Sequence, residues 1–175
     1  MIEDRIPLAD ELLGGHQSIL GEDFDGYRNH VYRMINFCFA QGELDDEQRE
    51  KIIIAGCFHD LGIWPTDTLD YLPPSIQLAD EYLSDNGLND WRPEIGLMID
   101  MHHRLRCSDE PLVEVFRKGD LIDFSLGIFK CGISARHVRD VKDRFPNAGF
   151  HRKLARLAGN WIVRHPLNPV PVLKW

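Results

Sequence analysis

Residues 45–62 read DDEQREKIIIAGCFHDLG, and the order of residue types in that stretch decides the fold. Asp45 is placed to cap a helix, with Gln48 in the reciprocal position three residues later, and the helix runs through Lys51 to Asp60. Its second half is almost wholly apolar and ends on the adjacent pair His59-Asp60. Burying two ionisable groups at the end of such a helix is costly unless both are bound to something. One aspartate can hold one neutral imidazole. A metal ion would hold both, because imidazole and carboxylate are ligands for zinc, manganese or iron.

Helical periodicity continues on either side. From Phe24 to Ala40 the positions Tyr27, Val31, Met34, Ile35 and Cys38 recur at steps of three and four, and Gln41-Gly42 ends the run. After the His-Asp pair, Gly62, Pro65 and Pro73-Pro74 mark a long connection. Helices are then predicted over Ser75 to Asn86 (closed by Gly87), from about Pro93 to Arg104, and over Glu110 to Gly127 with Pro111 in the first turn. Ser134 caps a helix reaching Phe145, and Phe150 to Arg164 forms the last, stopped by Pro166. The pattern predicts an all-α, single-domain bundle of seven to eight helices over residues 1–175. Its motif-bearing core covers about 25–130, and the C-terminal helices and proline-rich tail, 134–175, pack upon it. The tail from His165 to Trp175 is apolar, so it should dock on its own domain or on a partner, which leaves room for a homodimer.

Composition narrows the classes of function. With 43% hydrophobic and 27% charged residues the 175-residue chain is no disordered segment. Lys and Arg number 20 against 28 Asp and Glu, a net charge of −8, which argues against a nucleic-acid polymer as partner. The longest apolar stretch, Ile52 to Phe58, falls far short of the roughly 20 residues that span a bilayer. Met1-Ile2-Glu3-Asp4-Arg5 does not read as a secretory leader, so a cytoplasmic protein without a membrane partner is expected. Cys38, Cys57, Cys107 and Cys131 show no CxxC spacing and are expected to be reduced, mostly buried thiols.

The remaining candidate ligands follow from helical faces. His30 lies with Tyr27, Met34 and Phe37, His102 with Ile95, Met98 and Ile99, and Asp120 with Val113 and Phe116. His103 is turned further round. Taken singly, His30 reads as a hydrogen-bonded core histidine, Asp120 as a buried acceptor, and His102-His103 as a surface pair. Taken together, four helices each send an imidazole or carboxylate inward, and bundle cores are where facing helices build metal sites.

The order His30, His59-Asp60, Asp120 resembles the H…HD…D signature of the HD-domain metal-dependent phosphohydrolase superfamily. The most specific segments are Phe58-His59-Asp60-Leu61-Gly62, Met101-His102-His103 and Arg117-Lys118-Gly119-Asp120. The resemblance implies an all-α fold in which His30, His59, Asp60 and Asp120 hold one divalent ion (Zn, Mn, Fe, Co or Ni). His102 and His103 are then left for substrate or a second ion. The chain departs from two patterns of that superfamily. Ile63 follows Gly62, so the lysine of HDxGK is missing, and Leu61-Gly62-Ile63-Trp64 lacks the glutamate of the nucleotidase branch. The HDLGIW run is more similar to the branch containing cyanamide hydratase. The superfamily's diiron oxygenases supply a further histidine between the His-Asp pair and the later one, and none lies between Asp60 and His102.

A divalent ion in such a site would lower the pKa of a water molecule, in favourable zinc sites to about 7, and so provide hydroxide near neutral pH. Asp60, His102 and His103 are the candidates for moving protons. Arg104 and Arg106, which directly follow the histidine pair, together with Lys118 and Arg33, are the candidate cations for a small phosphorylated or nucleotide-like substrate. Trp64, Tyr71 and Pro73-Pro74 form either a pocket lid or core packing. The expected activity is hydrolysis. A hydratase, an iron-dependent oxygenase and a non-catalytic ligand-binding module are the alternatives on the same scaffold.

Overall fold

The computed structural model describes residues 1–168 and 171–172. The chain forms α1 (Pro7–Gly15), the single turn α2 (Gln17–Leu20), α3 (Phe24–Phe39), α4 (Asp46–Phe58) and the single turn α5 (Ile63–Thr66). There follow α6 (Leu72–Asp85), α7 (Arg92–Met101), α8 (Pro111–Phe124), α9 (Ala135–Arg144) and α10 (Phe150–Arg164). Eight of these exceed two turns and no β-strand occurs among the described residues, so the all-α expectation holds.

The capping box read at Asp45 is formed: its side chain accepts from the Gln48 backbone N–H, and the Gln48 side chain accepts from the Asp45 N–H. Helix α4 then enters the middle of the bundle. Ile52, Ile54, Ala55, Gly56, Cys57 and Phe58 are all buried, and α1, α3, α6, α7 and α8 pack against the helix. Helices α3 and α8 make the tightest approach, at Gly119. A Cβ there would lie 2.3 Å from Cys38 Sγ and 2.9 Å from the Met34 carbonyl oxygen. Gly62 serves a similar purpose after the His-Asp pair. Its N–H donates to Ser75 Oγ at 2.9 Å, and a Cβ would lie 2.5 Å from the Tyr71 carbonyl oxygen.

Three sequence expectations need correction. Helix α6 begins at Leu72, not Ser75, so Pro73-Pro74 belong to its first turn, where their missing N–H groups are not needed. Helix α1 has no counterpart in the sequence reading. It docks through Ala9, Leu12 and Leu13, and Tyr32 ties it down, its hydroxyl donating to Asp10 at 2.7 Å and accepting from the Ile6 N–H at 3.0 Å. Cys38 and Cys57 are buried free thiols, but Cys107 is exposed and Cys131 half-buried.

The C-terminal part packs on the motif-bearing core. Helix α9 lies against α3, and the Phe150 ring at the start of α10 stacks on His30 at 4.0 Å. In the tail, Val172 joins a buried cluster with Ile63, Leu69, Tyr71, Leu72 and Leu157. Residues 169–170 and 173–175 of that tail lie outside the described residues. No helix among the described residues is long and apolar enough to cross a membrane.

Candidate metal centre

Two helix ends and two helix interiors converge on one buried point. His59 and His102 are the C-terminal caps of α4 and α7, while His30 and Asp120 project from the middle of α3 and α8. The imidazoles at the caps do local work first. His59 Nδ1 lies 2.8 Å from the Gly56 carbonyl oxygen and His102 Nδ1 lies 2.7 Å from that of Ile99. Each satisfies an orphan carbonyl of its helix's last turn by donating from Nδ1, which turns the Nε2 lone pair inward. The negative ends of both helix dipoles point the same way, which favours a cation there.

His30 is oriented by a carboxylate instead. Asp123 Oδ2 accepts from His30 Nδ1 at 2.7 Å, and the Arg33 guanidinium grips the same carboxylate with Nε and NH2, the latter at 2.8 Å. Arg33 also donates to the Phe145 carbonyl oxygen at 3.0 Å. It is buried and committed, so its assignment as a substrate cation is corrected to that of a structural residue. Asp123 was missed in the sequence, although it lies three residues after Asp120 and seven after Phe116, on the same inward face. Burial opposes its charge, yet the His30 and Arg33 hydrogen bonds hold its carboxyl well below the usual range.

The inward-facing atoms stand at the spacing of a coordination shell. His30 Nε2 is 3.0 Å from His59 Nε2, 3.7 Å from Asp60 Oδ2 and 3.8 Å from Asp120 Oδ1. His59 Nε2 is 3.5 Å from Asp60 Oδ2 and 3.7 Å from Asp120 Oδ1. Bonds of about 2.1 Å in a tetrahedral zinc site place neighbouring donors about 3.4 Å apart. Two Nε2 lone pairs at 3.0 Å repel each other unless a proton or a metal lies between them. Asp60 Oδ1 and His102 Nε2 are buried, lack hydrogen-bond partners among the described residues and lie 3.5 Å apart. Two buried acceptors left unpaired and facing each other in this way would suit a cation. Two sets of three donors cluster most closely, His30-His59-Asp60 and Asp60-His102-His103. Asp120 is in neither set and flanks the first through its contacts with His30 and His59. His103 Nδ1 is 3.9 Å from Asp120 Oδ2, and its Nε2 is 2.8 Å from the Tyr71 hydroxyl. Tyr71 is therefore a buried neighbour of the centre, whereas Trp64 is half-buried and donates to Asp23.

Electrostatics in the metal-free protein follow from this crowding. Burial opposes charge on His59, but the Asp60 and Asp120 carboxylates outweigh it and raise its pKa to about 9. Burial and then His102 push His103 down to about 3, so that ring is neutral near pH 7. His59 must lose its proton to become a ligand. Zinc binding at pH 7.5 is therefore expected to release about one proton, measurable by calorimetry in buffers of different ionisation heat. Affinity should rise with pH towards about 9. In the metal-free chain the sign is opposite. Protonated His59 contributes stability that is full below its unfolded value of about 6.5. That contribution is lost as pH rises through about 9.

A cavity of about 290 Å³ opens beside the centre, lined by His102, His103, Arg104, Asp120 and Arg117 and by the apolar side chains Leu105, Leu121, Phe124 and Phe129. Of the four cations expected to bind substrate, Arg104 alone is on its wall. Arg106 is exposed and does not line it, and Lys118 pairs with Glu114 at 3.3 Å outside it. Arg117 is held by Glu114 through Nε and NH2, both at 2.8 Å. A larger groove of about 790 Å³, between Pro73 and Arg92, is a shallow surface feature remote from these donors. Comparison with protein-family models, with curated proteins and with solved structures gives no match for this chain.

Proposed function

We propose that the protein is a metal-dependent hydrolase of the HD superfamily acting on a small phosphorylated substrate. The supporting observation is the buried set of His30, His59, Asp60 and Asp120, each histidine locked with Nε2 inward, beside a cavity floored by His102, His103 and Asp120. A divalent cation held by those four residues would supply water of lowered pKa and neutralise phosphoryl charge. The chain's own groups do the rest. His103 lies at the cavity wall and its Nε2 is 2.8 Å from the Tyr71 hydroxyl, so the pair is placed to pass a proton between water and a leaving oxygen. Arg104 offers the phosphoryl group a cation from the wall.

Hydrolysis should vanish on chelation and return with added zinc, manganese or cobalt. His103→Gln should lower turnover by roughly 10²–10⁴-fold, the usual worth of a general acid or base, with metal content largely kept. Full activity in the chelated protein would contradict the reading.

The second donor group, Asp60-His102-His103, supports another reading on the same scaffold. Two irons sharing Asp60 would suit an oxygenase, and the apolar cavity wall would suit a hydratase. Close to two irons per purified chain would favour the oxygenase.

A further inference from the structure

The wall of the cavity narrows the ligand, on the reading of the centre as a phosphohydrolase. Arg104 is the one lining cation whose side chain forms no hydrogen bond or ion pair with any described residue, and its buried Nε has no acceptor there. Arg117 is neutralised by the Glu114 fork. No Ser, Thr, Asn or Gln is among the residues lining the cavity. Its polar groups other than Arg104 belong to the donor cluster or are held by Glu114, which leaves few to pair with ribose hydroxyls or the edge of a base. Such groups, buried without partners, weaken binding. Leu105, Phe124 and Phe129 instead stand at the mouth with 54%, 51% and 58% of their surface exposed.

This mouth is a built feature. Helix α8 ends in a Schellman turn, with the Gly127 N–H donating to the Ile122 carbonyl and the Leu126 N–H to that of Asp123. The left-handed position is filled by Leu126, at φ 56°, where glycine is usual. Ser125 Oγ then accepts from the Phe129 N–H at 3.1 Å, and Lys142 Nζ donates to the Leu126 carbonyl at 2.7 Å. The strained turn precedes Phe129, which lines the cavity together with Phe124 and Arg104. Strain kept beside a site is a reason to seek function there.

We infer that the site takes one phosphoryl group on a compact apolar body, an aryl or branched-alkyl phosphomonoester, in preference to a nucleotide. In the reaction a P–O bond to the water oxygen forms and the P–O bond to the apolar alcohol breaks. One proton of the water ends on the leaving oxygen, giving the free alcohol and inorganic phosphate.

The test is calorimetric binding of phenylphosphonate, whose P–C bond resists hydrolysis, against AMP and inorganic phosphate. It uses the full chain with and without zinc, with zinc per chain measured on the same samples. Phenylphosphonate should bind about tenfold or more tightly than either competitor, and Arg104→Gln and Phe129→Ala should each lower that affinity by about tenfold. Both side chains are partly or largely exposed, so neither change threatens the fold. AMP binding as tightly as phenylphosphonate in a zinc-loaded chain would overturn the ligand class and leave the metal centre standing. A chain that takes up no zinc when it is offered yet prefers phenylphosphonate, and loses the preference in Phe129→Ala, would support the ligand class and overturn the metal reading. No phenylphosphonate binding in either state would overturn the inference.

Discussion

Asp123→Ala is expected to destabilise the protein by about 3–5 kcal/mol, the cost of leaving one member of a buried ion pair alone. The Arg33 guanidinium would stay buried with only backbone carbonyls as partners, and His30 Nδ1 would lose its acceptor. Against a total stability of about 5–15 kcal/mol that loss is large enough to unfold a marginal domain. Urea unfolding at pH 7 measures it, and a loss below about 1 kcal/mol would show that the pair does not hold α3 to α8. Where the variant remains folded, zinc affinity should fall by about 10–100-fold, because the support behind a ligand histidine is gone. The carboxylate also sets a pH dependence. Its folded pKa is depressed, so its contribution is full above the unfolded value of about 3.9 and is lost as pH falls through the folded one. Asp123→Asn should remove that part of the acid sensitivity.

Gly119→Ala is expected to cost about 3 kcal/mol or more, the upper end of overpacking effects. In an ordinary helix the same change would stabilise by about 1 kcal/mol, so the reversed sign is diagnostic of the close approach. The new methyl group would meet Cys38 Sγ at 2.3 Å, Met34 O at 2.9 Å and Cys38 N at 3.3 Å. Two of the three are backbone atoms and have no rotamer in which to escape, so α3 and α8 must separate. Those helices carry His30 and Asp120, whose donor atoms are 3.8 Å apart, so the metal donors separate with them. Combining the change with Cys38→Ala removes the sulfur and leaves the carbonyl, and should restore only part of the loss in a double-mutant cycle. Full restoration would place the conflict at the thiol alone.

Much of the centre was legible because each ligand sits on an apolar helical face. His30, His102 and Asp120 are inward by their periodicity with Tyr27, Ile95 and Phe116, and the structure buries all three. The same periodicity marks Asp123, seven residues after Phe116, but two inward aspartates on one helix do not announce which is a ligand and which a support. The role of Arg33 was hidden for a related reason. A buried guanidinium and a solvated one look alike in sequence, and its partner lies 90 residues away. Helix α6 begins three residues before Ser75 because Pro73-Pro74, breakers inside a helix, are tolerated in its first turn, which has no use for their N–H groups. The cavity mouth had no signal at all. It arises from a left-handed Leu126, where nothing in the sequence demands that conformation.

The central claim is that this buried cluster holds a divalent metal, and elemental analysis of desalted protein tests it most directly. Wild-type chain, purified without added metal or after incubation with zinc, manganese, iron, cobalt and nickel in turn, is expected to retain about one ion, or two if the Asp60-His102-His103 group also fills. Asp60→Ala, which takes a ligand from both groups, is expected to retain almost none while keeping its helical circular dichroism. A folded wild-type chain that holds no ion under any of these conditions, or an Asp60→Ala variant that holds it as firmly, would contradict the account.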